Sequence, residues 1–296
     1  MIAEASDAAI ATKHDAATWG HRRGRFDLQR PLLMGILNVT PDSFSDGGHF
    51  ADPRRALDRA AAMVEEGAGL IDVGGESTRP GASPVDARDE IARVLPVVRL
   101  LAYRLSVPIS IDTRRASVAR AALDAGADVV NDVTALADPR MARTVADAEA
   151  GLVLMHMKGV PATMQDDPVY DDVAAEVASV LHERLRMATE HGVSRERIAI
   201  DPGIGFGKTF SHNLELISRL DVLTRLGRPV VLGASRKAFL GALVGDAPAE
   251  ERAVATAAAC VMGYLRGARV FRIHDVRIVR DALRVAEAVQ TAGSGV

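Results

Sequence analysis

The chain has 296 residues, with 36 Lys and Arg against 39 Asp and Glu, so its formal charge is −3 at pH 7. So small an imbalance provides no field able to hold a polyanion, which disfavours a general nucleic-acid coat or a role at a charged membrane surface, and 48% hydrophobic residues exclude wholesale disorder. A lone cysteine, Cys260, forms no internal disulfide, no run approaches the ~18 apolar residues of a membrane span, and charges interrupt the N-terminal stretch too often for a signal peptide, so the expected setting is the cytoplasm.

In chain order, residues 1–25 carry no sustained period and are expected as a mobile tail, with Arg25 to Gln29 able to form a short strand across a barrel floor. From there short apolar runs alternate with helical periods. The expected strands are Leu32 to Asn38, Leu70 to Glu76, Pro108 to Thr113, Val129 to Thr134, Leu152 to Met157, Arg197 to Gly203, Pro229 to Ser235 and Arg269 to Asp275. Between them, Leu57, Ala60, Ala61 and Val64, then Ile91, Val94, Leu95 and Val98, mark the buried stripes of two helices. Asp52-Pro53 and Asp138-Pro139 read as helix starts, and Gly67, Gly126, Gly192 and Gly227 as helix stops. Eight such rounds without a linker fit a single (β/α)8 barrel over residues 26–296, an α/β fold with eight parallel strands and its active site at the C-terminal face. A dinucleotide-binding sheet fails, because Asn-Val-Thr-Pro-Asp follows the first strand in place of a glycine-rich phosphate turn.

Polar residues gather at the strand ends: Asn38, then Glu76, Thr78 and Arg79, Asp112, Asn131 and Asp132, His156, Asp201, then Ser235, Arg236 and Lys237, and finally Arg272 and His274. In a barrel these ends meet at one mouth. Any one Asp or Asn there reads equally well as a turn former; eight strands doing so together point to a site. Arg272 and His274, two apart on one strand, face the same side, and inward is where they find partners. His156 between two methionines reads as a satisfied core or rim residue. Ser235 and two cations at a strand-to-helix turn suit an anionic ligand group.

The segments Met34 to Gly48, Asp72 to Ala82, Ser110 to Thr113, Asn131 to Val133, Leu154 to Met157, Asp201 to Lys208, Gly233 to Lys237 and Arg272 to Val276 together resemble the dihydropteroate synthases, a pterin-binding barrel family of folate biosynthesis. Thr134-Ala135-Leu136 departs from the Ser-Gly of many relatives. The resemblance implies condensation of 6-hydroxymethyl-7,8-dihydropterin diphosphate with 4-aminobenzoate to dihydropteroate and pyrophosphate, by an SN1-like route that needs no protein nucleophile.

By the same resemblance Asp112, Asn131 and Asp201 hold the pterin ring, Lys237 its acceptor edge, and Met155 and Gly233 contact it, while Arg272 and His274 grip the diphosphate. The residues expected to act in catalysis are Lys237, Arg272, His274, Asp112 and Asp201. Asn38, with Asp46, is matched to a Mg2+ site. Two mobile loops carry Phe44, Ser45 and Asp46, and Thr78, Arg79 and Pro80; Thr78 and Phe206 wall the aminobenzoate site, and Ser235 receives its carboxylate. Partners are these small molecules and a second copy of the chain as a homodimer, with no nucleic acid and no membrane. Two alternatives stand beside this reading: a pterin-dependent methyltransferase, which has no use for the Ser-Arg-Lys, Arg-Ile-His or Ser-Thr-Arg-Pro-Gly segments, and a non-catalytic pterin-binding barrel.

Overall fold

A computed structural model describes residues 17–39, 52–77, 85–160 and 163–293. Its core is a ring of eight parallel strands: β3 (Leu32–Asn38), β4 (Leu70–Gly74), β5 (Ile109–Asp112), β6 (Val129–Asp132), β7 (Gly151–Met155), β8 (Ile198–Asp201), β9 (Val231–Leu232) and β10 (Val270–Ile273). Neighbours in sequence are neighbours in space, β10 pairs with both β3 and β9, and a bridge between Ile200 and Val230 closes the ring. The eight-stranded barrel is the expected one. Most strands stop short of the apolar runs, β4 at Gly74 and β10 at Ile273, because the polar residues that follow leave the ladder for the mouth.

Helices α1 (Pro53–Glu66), α2 (Ala87–Arg104), α3 (Ala116–Asp124), α4 (Met141–Asp147), α5 (Val173–Glu190), α6 (Phe210–Ser218), α7 (Asp221–Thr224), α8 (Ala238–Leu243), α9 (Ala253–Leu265) and α10 (Val276–Gly293) complete the described connections. Asp52 caps α1 by accepting the Arg54 N–H at 2.8 Å, Pro53 fills the first helical position, and Gly67 stops the helix at φ 113°. The buried stripe of α1 runs through Ala56, Ala60 and Met63, one position round from the expected one, with Leu57 and Val64 half-buried at its edge. The second expected start is displaced. Helix α4 begins at Met141, and the Asp138 carboxylate accepts N–H groups of Arg140 (3.1 Å) and of Ala116 (3.0 Å), so it also caps α3 from a neighbouring loop.

The boundary expected at residue 25 falls inside an ordered hairpin, and for residues 17–25 the tail reading is corrected. Strands β1 (Thr18–His21) and β2 (Gly24–Asp27) pair antiparallel and cross the N-terminal end of the ring. Trp19, fully buried, packs with Phe26 and Leu28 onto Met34, Leu70, Val129, Val153, Ala199, Val231 and Val270, inward residues near the start of seven strands. Its Nε1 donates to the Arg197 carbonyl at 2.9 Å. Removing this much apolar surface from water contributes on the order of 25 cal/mol per Å2, so the hairpin seals the floor because an open barrel end would leave seven aliphatic side chains wet.

Candidate active site

Strand periodicity builds the site. Two residues beyond the floor, and therefore on the same inward face, stand Asp72, Asn131, Met155, Asp201, Gly233 and Arg272, and Asp112 follows Ser110 in the same way. The aliphatic floor thus gives way, in a single step on strands β4, β6, β8 and β10, to a polar storey that Asp112 of β5 joins.

Arg272 is its centre. The guanidinium donates from Nε to Asp72 Oδ2 and from a terminal nitrogen to Asp112 Oδ2, both at 2.6 Å, and Asn131 Nδ2 donates to the same Asp72 oxygen at 3.2 Å. Burial works against the charge of Arg272, but Asp72 and Asp112 more than offset it and hold its pKa above the ordinary arginine range. Burial, opposed by Arg272 and reinforced by Asp72, pushes the Asp112 carboxyl up to about 7. Across the barrel Asp201 accepts the Gly203 N–H at 2.7 Å, and burial pushes it up to about 6 against that bond and the cations Arg272 and Lys237. Carboxylates held this near neutrality are poised for a ligand that supplies N–H donors.

A cavity of about 310 Å3, counting its open mouth, lies among Asp112, Asn131, Val133, Met155, Asp201, Gly203, Phe206, Gly233, Lys237 and Arg272. Val133, Met155 and Phe206 pack with Met164 into one apolar wall. Lys237 Nζ lies 4.0 Å from the centre of the Phe206 ring. A flatter groove between Arg30 and α10 lies at the floor end and gathers no strand-end residue.

Behind the wall is Lys208, which sequence reasoning passed over. Only 2% exposed, its ammonium faces His156 Nδ1 (3.0 Å), the Phe206 carbonyl (2.9 Å) and the His156 carbonyl (3.4 Å). Burial brings it down to about 7 although Asp201 supports its charge, and burial with Lys208 brings His156 down to about 3. His156 is therefore a neutral, satisfied residue of the rim. The turn over Asp201 to Lys208 is drawn so close to the end of β7 that a Cβ on Gly203, at φ 67°, would collide with the His156 carbonyl oxygen.

At the mouth Ser235 Oγ meets His274 Nδ1 at 3.0 Å and accepts the His274 N–H at 3.1 Å, which joins the turns after β9 and β10. Arg236 is turned away into a paired contact with Asp275 (2.6 and 2.9 Å), so the second cation of that turn is structural. Glu76 is also taken, by Arg114, Arg115 and the Val85 N–H, and fastens a loop stem. Asp72 is the residue missed: buried in mid-strand, it holds two of the expected site residues at once. Phe44, Ser45, Asp46, Thr78, Arg79 and Pro80 lie outside the described residues.

Magnesium prefers oxygen ligands, keeps several waters and shares substrate phosphates. Among the described residues no three His, Cys, Asp or Glu side chains converge as a metal group. Asn38, at the mouth end of β3, has its amide oxygen 3.7 Å from where a Cβ on Gly74 would stand, close beside Asp112. One amide oxygen suits an ion that a diphosphate carries in, and the residues present fit that mode.

The pterin binding enzyme family matches residues 34–274. A dihydropteroate synthase of Escherichia coli K12 is 43% identical over 266 residues, which cover 90% of this chain and 94% of that protein. The Xanthomonas albilineans dihydropteroate synthase solved with 4-aminobenzoic acid superposes with a TM-score of 0.87 at 44% identity, covering 93% of this chain and 98% of that one. The same enzyme in complex with 7,8-dihydropteroate gives 0.81 at 42% identity, over 90% and 96%. With the barrel, the polar storey and these likenesses together, the chain belongs to the pterin-binding enzyme family, as one of its dihydropteroate synthases.

Proposed function

We propose that the chain condenses 6-hydroxymethyl-7,8-dihydropterin diphosphate with 4-aminobenzoate, giving dihydropteroate and pyrophosphate. The observation that carries this reading is the cavity in which Asp112, Asn131, Asp201, Lys237 and Arg272 surround an apolar wall of Val133, Met155 and Phe206. The N–H edge of a pterin donates to the Asp201 and Asp112 carboxylates, Asn131 completes that edge, and Lys237 donates to the acceptor edge. Relatives solved with 4-aminobenzoic acid and with 7,8-dihydropteroate support the same pair of ligands here.

In the reaction the C–O bond to the diphosphate breaks, its electron pair leaves on pyrophosphate, and the methylene cation is stabilised by the pterin ring. The amine of 4-aminobenzoate supplies the pair for the new C–N bond and then loses a proton. Arg272 and His274 are assigned to the negative charge that grows on the leaving group, where a fixed donor lowers the barrier. Asn38, with Asp46, would hold Mg2+, which would supply Lewis-acid charge at the diphosphate. No protein nucleophile enters: Cys260 is fully buried in α9, and burial pushes its thiol up to about 12. Phe206 with Thr78 is assigned to the aminobenzoate site, with Ser235 near its carboxylate.

Incubating the protein with both substrates and Mg2+ should yield dihydropteroate and equimolar pyrophosphate; pterin binding without turnover would favour the non-catalytic barrel instead. The methyltransferase alternative gains nothing from relatives named as synthases. No described helix is long and apolar enough to cross a membrane, in keeping with a cytoplasmic setting. Exposed Val254, Met262 and Leu265 on α9 favour a homodimer, to be checked by sedimentation.

A further inference from the structure

Arg272 has two carboxylate partners that differ in kind. Asp112 lines the cavity and is assigned to the ligand, whereas Asp72 is fully buried, does not line the cavity, and accepts from both Arg272 Nε and Asn131 Nδ2 through one oxygen. Its other oxygen has no hydrogen-bond partner among the described residues, so the hydrogen bonds it accepts come from these two residues. A ligand that takes Asp112 removes one of the two carboxylates hydrogen-bonded to Arg272, and a guanidinium left there without a bonded anion would swing or carry a large desolvation cost.

We propose that Asp72 is a positioning residue that holds Arg272 from beneath the pterin site, so that Asp112 can exchange its guanidinium contact for the N–H donors of the pterin. Without Asp72 the guanidinium keeps Asp112 as its one hydrogen-bonded carboxylate among the described residues, and a pterin must then break a tighter pair to enter. Asp72 touches no substrate; it acts through Arg272. The proposal rests on the pterin-binding reading above.

The test is a double-mutant cycle on affinity for 6-hydroxymethyl-7,8-dihydropterin by calorimetric titration. Asp72→Asn keeps a carbonyl oxygen for Asn131 and removes only the charge, so it isolates the Arg272 contact. It should weaken pterin binding roughly ten- to hundredfold in the native background, the span set by one charge-assisted hydrogen bond. In an Arg272→Met background the same change should cost less than about threefold, since there is no guanidinium left to hold. Equal losses in the two backgrounds, or no loss in the native one, would overturn the proposal. Should Asp72→Asn alone not fold, the double variant decides: recovery of the fold with the affinity of Arg272→Met supports the proposal, and an unfolded double variant overturns it. Unsubstituted protein that binds no pterin would count against the functional reading; pterin binding with an additive cycle would count against this inference alone.

Discussion

Asp201 carries two demands that conflict as the pH changes. Burial raises its pKa from 3.8 to about 6, so the empty fold binds a proton there more readily than the unfolded chain does. That contribution to stability is full below about pH 4 and is lost as the pH rises through about 6. Pterin binding has the opposite sign, because protonation converts an acceptor of the ring N–H edge into a donor. Affinity for a pterin should fall as the pH drops through about 7, where Asp112 takes up its proton, and further through about 6, where Asp201 does, and titrations that show the same constant at about pH 8.5 and 5.5 would remove both carboxylates from the site. Asp201→Asn should cost on the order of 2 to 4 kcal/mol of pterin affinity at neutral pH while the fold persists. Asp201 was legible in the sequence as a carboxylate ending an apolar run. Asp72 was not, because inside Leu-Ile-Asp-Val-Gly it reads as a break in such a run; only its place two residues past Leu70, on the face shared with Arg272, reveals it. Lys208 was passed over for a similar reason, since a lysine after glycines reads as solvated until three acceptors are found around it.

Among the elements, the ring strands were legible because a parallel strand covered on both faces must be apolar along its length. Of the β1–β2 hairpin only the second strand was legible, in the run from Arg25 to Gln29 across the floor; β1 was not, since Trp19 stands among threonine, glycine and histidine over a strand of four residues, too short for a period to stand out. The turn from Asp201 to Lys208 is where an element sets the site. Gly203→Ala should cost on the order of 3 kcal/mol or force the turn outward, through a strained φ together with the collision at His156. Because that turn carries Phe206, pterin affinity should fall with it, and a Gly203→Ala protein of unchanged melting temperature and affinity would contradict the close approach. On the proposed function the aminobenzoate site takes Phe206 of this turn together with Thr78 and is completed only over the bound pterin diphosphate. A sulfonamide should therefore bind weakly to the empty protein and well once pterin and pyrophosphate are present, and equal dissociation constants in the two titrations would defeat that order.

At the scale of the whole molecule the barrel separates its tasks by height. The floor is aliphatic and sealed by the hairpin, and the chemistry stands at the opposite rim. Trp19→Ala should lower stability by about 3 to 5 kcal/mol, the cost of a large cavity in a closed core. Where the variant is still folded it should bind a pterin as before; a loss of affinity beyond the loss of folded protein would show the two ends to be coupled. Trp19 is also the one tryptophan in the chain, fully buried and tied by its indole N–H to the Arg197 carbonyl. The wavelength of its fluorescence maximum therefore has a single origin. It should stay blue while ligands come and go at the rim and shift red only when the hairpin lifts, so that an unlabelled cuvette experiment times the opening of the floor without interference from catalysis.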